Sequence, residues 1–176
     1  AVGSENSVQW ALTDDDGDGS YTLTISGTGA MADYESPTKT ASSSIAPWYT
    51  ALSKKGATTT AYSGKIFVNI TKVVIGRNVT HIGAYAFAYT TVSDIQIADG
   101  VDSIGKGAFL WANWLKNITI PSSVTNMHYD SGENEYYNIF DGTFYLESVE
   151  ISGTDSPYQV VQGGVLVGPV QDKKDE

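Results

Sequence analysis

Between residues 70 and 152 the apolar positions recur in one order, written almost four times. Ile70, Val73 and Ile75 are followed by Val79, Ile82-Gly83 and Ala86-Phe87; Val92, Ile95 and Ile97 are followed by Val101, Ile104-Gly105 and Ala108-Phe109. The third copy runs Leu115, Ile118, Ile120, Val124, Met127 and Ile139-Phe140, and a fourth opens with Leu146, Val149 and Ile151 and then stops short. The step is 22 residues from Ile75 to Ile97, 23 from Ile97 to Ile120 and 31 from Ile120 to Ile151, a period that belongs to stacked repeats. The alternating end of each triplet predicts a short strand with one face inward. A single copy holds too few large side chains to offset the backbone entropy of ordering it. The copies therefore stand only together, with covers at both ends.

Ile and Val fill the inward positions, and that choice favours strand over helix. The expected fold is mainly β: a right-handed solenoid with little helix and a β-hairpin cap at its N-terminal end. The recurring I-G-x-x-A-F segment predicts a tight, positive-φ turn at Gly83 and Gly105,. Small Ala86 and Ala108 leave room for Phe87 and Phe109 to stack rung on rung as an aromatic spine. The third copy departs from this, with His128 in the glycine position and Ile139 in the alanine position. Its insertion, residues 129–138, is expected to loop out on an exposed face.

Upstream, Ser7–Leu12 and Tyr21–Ser26 alternate apolar and polar around an Asp- and Gly-rich join, which reads as a β-hairpin,. Residues 1–7 read as a frayed end, 31–44 as a polar connection and 54–60 as a loop. Pro47 suits the first turn of a short helix that turns Trp48, Tyr49 and Leu52 inward,. Downstream, Gln159–Val161 and Val165–Val167 flank Gly163-Gly164 as a second hairpin, followed by a charged tail read as disordered,. The divisions implied are an N-terminal flank over 1–65, a repeat array of about three and a half copies over 66–156, and a hairpin and tail over 157–176.

Several of these segments together resemble a known family. The triplet spacing, the run V-x-x-I-G-x-x-A-F at Val79–Phe87 and Val101–Phe109, and Leu115–Val124 look like the bacterial surface leucine-rich repeats of the BspA type. Trp10, Tyr21–Met31, Ala46-Pro47-Trp48 and Gly163–Val167 are similar to segments that flank such repeats. The resemblance implies secreted or cell-surface proteins that adhere to host or neighbouring-cell macromolecules. It brings no shared catalytic residues.

Composition narrows the partners. A net charge of −10 with only ten Lys and Arg, scattered along the chain, excludes the clustered cations that nucleic acid demands,. There is no cysteine, so disulfides and thiolate chemistry are out,. No apolar run is long enough for a membrane span, and membrane insertion of this segment is not expected,. The location implied is extracellular or at the cell surface, with any signal or anchor outside this stretch.

No motif of a hydrolase elbow, phosphate loop or histidine-metal site is present, and His81 and His128 fall two rungs apart in neighbouring columns,. The chain reads as non-enzymatic and without a cofactor. Asp14, Asp16 and Asp18 lie in a D-x-D-G-D-G run with oxygen ligands of the calcium-loop kind. The twelfth position from Asp14 is Ile25, where such a loop needs a bidentate Glu, so a solvated turn is the expectation,. Asn69, Asn78 and Asn117 each open an N-x-T pattern, read as coincidence on Thr-rich strands.

Binding candidates form two groups. The outward strand positions make two polar columns, Lys72, Asp94, Asn117 and Ser148 beside Val74, Gln96, Thr119 and Glu150. Aromatic residues after the Phe spine, Trp111 and Trp114 with Tyr89 and Tyr145, and Tyr129, Tyr136 and Tyr137 in the insertion, are the second group,. Trp111 is expected to be exposed; Trp114 and Tyr145 are equally consistent with covering the core edge. The first functional reading is adhesion to a host or microbial surface protein. The others are a carbohydrate-binding module stacking sugars on Trp and Tyr, and a structural spacer in a larger surface protein.

Overall fold

The computed structural model describes residues 1–5, 7–38, 44–127 and 139–152, together with the backbone of two later strands. The N-terminal segment opens with β1 (Val2–Glu5), which pairs antiparallel with β2 (Val8–Thr13). The expected frayed end is therefore a strand. Its backbone hydrogen bonds to β2 replace those to water. β2 and β3 (Tyr21–Gly27) form the hairpin that the alternation predicts, with Val8, Leu12, Leu23 and Ile25 on its buried face. A two-residue strand, β4 (Gly29–Ala30), follows.

The helix α1 spans Pro47–Lys55. Pro47 fits the first turn, where no intrahelical N–H is needed. Gly56 ends the helix in the left-handed conformation, and its N–H bonds back to Leu52 and Ser53,. Trp48 and Leu52 are buried, as their spacing of four along the helix requires,. Thr58–Ala61, within the segment read as loop, is β5, paired antiparallel with β6 (Lys65–Val68). Successive β-branched threonines suit a strand.

The repeats then lie in parallel register. β7 (Ile70–Ile75) pairs with β9 (Asp94–Ile97), setting Lys72 beside Asp94 and Val74 beside Gln96. On the return side of each copy, β8 (Val79–Ile82), β10 (Ser103–Ile104) and β12 (Asn126–Met127) make a second parallel ladder, and β4 extends it. β11 (Asn117–Ile120) pairs with β13 (Ser148–Ile151), aligning Asn117 with Ser148 and Thr119 with Glu150. β14 (Gln159–Val161) and β15 (Val165–Val167) form the expected antiparallel hairpin.

One step in the strand ladder is missing. β9 and β11 are neighbours but share no ladder, so the long sheet ends at β9. Ile95 follows Phe87 by eight residues, whereas Ile118 follows Phe109 by nine and Val149 follows Phe140 by nine. The columns Lys72–Asp94 and Asn117–Ser148 are two matched pairs rather than one continuous row.

The Phe spine is present. Phe87 stacks on Phe109 at 5.6 Å and 27°, and Phe109 on Phe140 at 5.4 Å and 8°; all three are fully buried. Beside it, Phe87 N–H donates to Ala108 C=O and Phe109 N–H to Ile139 C=O. Ile139 thus occupies the alanine slot. At the start of the series Ala86 C=O accepts instead from the indole N–H of Trp48 at 2.7 Å, and the Trp48 ring stacks on Phe87 at 6.1 Å and 23°. Trp48 stands where a preceding copy would have placed its Phe. The N-terminal segment is further tied to the first copy by β3, which pairs parallel with β7.

Gly83 and Gly105 do not have positive φ, contrary to the expectation. They are needed for space: a Cβ on Gly83 would overlap the carbonyl oxygen of Ala32, and one on Gly105 would lie 2.5 Å from Ala84 N and 2.8 Å from its Cα. The left-handed residues are instead Tyr85 and Gly107 in one column, and Tyr89, Trp111 and Gly142 in the next, with φ from 54° to 73°.

Candidate functional site

The polar strip sits where the alternation puts it. Asp94, Gln96, Asn117, Thr119 and Glu150 are exposed and Lys72 is half-buried, while Val73, Ile95, Ile118 and Ile120 between them face the core. Lys72 Nζ lies 3.9 Å from Asp94 Oδ2, and Ser148 Oγ donates to Asn117 Oδ1 at 2.6 Å. Where the ladder is interrupted, a shallow depression of about 450 Å³ opens between Val74, Gln96, Ile97, Ala98 and Thr119. The strip residues from both sides of the break meet at this depression.

The aromatic group is packed more tightly than the sequence suggested. Trp111 is not a free ring. Tyr89, from the preceding copy, stacks on it at 6.3 Å and 21°, and Gly142, from the next, leaves no room for a Cβ against it. Phe144 meets its edge at 5.4 Å, and Lys65 Nζ lies 4.6 Å from its centroid. Trp111 is half-buried, with a left-handed backbone at φ 58°. Trp114 is held edge-on by Phe67 at 5.1 Å and Tyr62 at 5.6 Å. The exposed rings here are Phe144 at 64% and Tyr145 at 54%, of which sequence reasoning had missed Phe144. Tyr129, Tyr136 and Tyr137 lie outside the described residues.

At the Asp-rich turn, Asp14 Oδ2 accepts from Gly19 N–H at 3.1 Å and Asp18 Oδ1 from Ser20 N–H at 2.7 Å. These carboxylates close the turn. Among the described residues no group of three or more His, Cys, Asp or Glu side chains is gathered as a metal ion would need.

A third cluster joins His81 to residues that the sequence reading had not connected with it. His81 and Ser103 are partners in the β8–β10 ladder, and His81 Nδ1 lies 2.7 Å from Ser103 Oγ. On the other side His81 Nε2 lies 2.9 Å from Asp33 Oδ1, which also accepts from Ala84 N–H at 2.8 Å. Burial alone would raise the Asp33 pKa. The hydrogen bonds from His81 and Ala84, with the charges of His81 and Lys106, outweigh it and hold the carboxyl below 3.8,.

Residues 59–156 match the family described as BspA type Leucine rich repeat region (6 copies). The chain belongs to that family. The match begins inside β5, ahead of the boundary at 66 drawn from spacing. Two solved bacterial leucine-rich repeat proteins are similar to it. One, from Bacteroides capillosus ATCC 29799, is 23% identical over 86% of this chain and 99% of its own, with a TM-score of 0.41. The other, from Eubacterium ventriosum ATCC 27560, is 24% identical over 93% of this chain and 46% of its own, with a TM-score of 0.38. No curated protein matches.

In this BspA-type array the motif letters have separable duties. Glycine permits contact between successive backbones, the alanine slot supplies the carbonyl that bonds the preceding copy, and phenylalanine builds the spine. The His81–Ser103 pair lies in a position outside that motif, and its signal was the 22-residue interval between the two. Asp33 has no repeat partner, so spacing had no means of finding it.

The Asp33 contact carries a pH dependence. Its folded pKa is depressed, so the stability it contributes is present above the unfolded value of 3.8 and is lost as pH falls through the folded one,. Because the carboxylate is largely solvated, the effect is below ~1 kcal/mol. Urea denaturation of wild type and Asp33→Asn across the acid range should give curves that differ near neutral pH and converge below 3.8.

Proposed function

We propose that the chain is a secreted or cell-surface adhesion module that binds a host or microbial surface protein through its outward strand face. The observation that carries the reading is that face itself. Asp94, Gln96, Asn117, Thr119 and Glu150 are exposed on it, and Gln96 and Thr119 line a depression with Val74, Ile75, Ile95 and Ile97,. In this reading the array is a right-handed solenoid, and residues 1–65 cover its first rung. Phe144 and Tyr145 supply exposed rings of the kind that anchor protein interfaces,.

Sugar stacking needs an open ring face. Trp111 lies between Tyr89 and Gly142, and Trp114 is held edge-on, so the glycan alternative loses the two rings it leaned on most. The test is binding of wild type and the Gln96→Arg/Thr119→Arg double variant to immobilised host matrix and bacterial surface proteins, run beside a glycan array with and without calcium. Adhesion predicts protein binding that the double variant weakens at least ~10-fold. Equal binding by both proteins would remove the strand face from the account. A glycan signal alone would favour the carbohydrate reading, and no binding to either panel is what a spacer predicts.

A further inference from the structure

The column on the return side of the array holds a different chemistry. β8, β10 and β12 place His81, Ser103 and Asn126 side by side on three successive copies. Asp33 arrives from the N-terminal segment and closes a hydrogen-bonded chain, Asp33 to His81 to Ser103, with lengths of 2.9 and 2.7 Å. The chain borders an open pocket of about 360 Å³ that Lys106 and Asn126 also line.

We propose that Ser103 is a reactive serine, with His81 as its base, and that this pocket accepts short acyl esters. A neutral imidazole carries its proton on one nitrogen and accepts at the other. Asp33 accepts the proton on Nε2, which leaves Nδ1 free to accept the Ser103 hydroxyl proton. The ring nitrogens are reversed relative to the usual serine–histidine–aspartate order, but the roles of orienting carboxylate, base and nucleophile are kept. Asn126, which lines the same pocket, carries an amide N–H of the kind that stabilises oxyanion charge,. Its mixed polar wall and small size suit a short acyl group rather than a lipid chain. One feature opposes activation: Ser103 Oγ donates its hydroxyl proton to Asp102 Oδ1 at 3.0 Å, and that proton must turn to His81 Nδ1 before attack.

The step balances. Ser103 Oγ bonds to the acyl carbon as its proton passes to His81 Nδ1; the ester C–O bond breaks, and the leaving alkoxide takes that proton. Water then gives a proton to His81 and its oxygen to the acyl carbon, and Ser103 departs and recovers the proton. With a fluorophosphonate the Oγ–P bond forms, fluoride leaves and the proton remains on His81. Ser103 is the nucleophile and His81 its base; Asp33 is a positioning residue.

The experiment is labelling of the full chain with a small fluorophosphonate, read by intact mass and peptide mapping, with folding followed by thermal melts. The wild type should gain one adduct at Ser103, and Ser103→Ala none. His81→Gln should label at least ~100-fold more slowly, in line with loss of a general base. Asp102→Ala should label no more slowly than wild type, since only the competing acceptor is gone. Asp33→Asn should slow labelling and move the His81 proton from Nε2 to Nδ1, seen in imidazole ¹⁵N shifts, which a purely structural role would not do. A folded wild type with no adduct at Ser103 overturns the proposal without recourse to any variant. Equal labelling of folded His81→Gln overturns it as well.

Discussion

Trp48→Ala lowers the unfolding free energy by roughly 3–5 kcal/mol, the range for deleting a large buried aromatic. Its side chain does three things at once. It stacks on Phe87 at the N-terminal end of the spine, it packs edge-on against Tyr34 at 5.3 Å and Trp10 at 6.0 Å, and it donates to Ala86 C=O. Trp48→Phe separates these effects. The ring contacts survive in part, but the buried carbonyl of Ala86 loses its donor, a cost of about 1–3 kcal/mol. The ordering wild type, Phe, Ala in equilibrium denaturation is the expected result. If Trp48→Phe matched wild type, the substitution of an indole N–H for a preceding copy's backbone would carry no energy.

Gly105→Ala destabilises by about 3 kcal/mol, at the upper end of the overpacking range. The dihedral angle is not the reason, because Gly105 is absent from the positive-φ residues. The new methyl would sit 2.5 Å from Ala84 N and 2.8 Å from Ala84 Cα, and backbone atoms cannot swing aside as a side-chain tip can. Relief requires the first two copies to separate, which strains the rung-to-rung bond from Gly105 N–H to Ile82 C=O and those at Tyr85, Phe87 and Tyr89. Unfolding measured by circular dichroism in urea checks this. A stability equal to wild type would mean that the copies are not in such close contact.

These two positions also mark what a sequence reader can and cannot see. The repeat spacing predicts the parallel pairs, the buried Ile and Val positions and the stacking of Phe87, Phe109 and Phe140, because side-chain periodicity is what burial acts on. It also places Trp48 inward. It cannot show that the indole replaces a missing copy, since that depends on where α1 docks. The role of Gly105 was expected to be conformational and is steric: a one-letter pattern records that glycine is required and not which of its two freedoms is used. Trp111 is half-buried rather than exposed because Tyr89 and Gly142 of the neighbouring copies pack against its ring, which spacing alone does not show.

The candidate sites divide in the same way. The columns Lys72–Asp94 and Asn117–Ser148 follow from repeat alignment, whereas the break between them shows only in the folded chain. The cluster at His81 depends on Asp33, 48 positions away outside the repeats, and only the folded chain brings it near.

The central claim is that successive copies lie directly above one another in the register described. The chain has no cysteine, so an engineered pair is the only pair present. Lys72→Cys/Asp94→Cys places two thiols on partner positions of β7 and β9, about 4.8 Å apart along the ladder and within the Cα separation that a disulfide accepts. Mild oxidation followed by non-reducing mass analysis should show rapid intramolecular closure of this pair and none for Lys72→Cys/Asn117→Cys, which skips a copy. Equal closure of the two pairs, or of neither, would contradict the stacked arrangement.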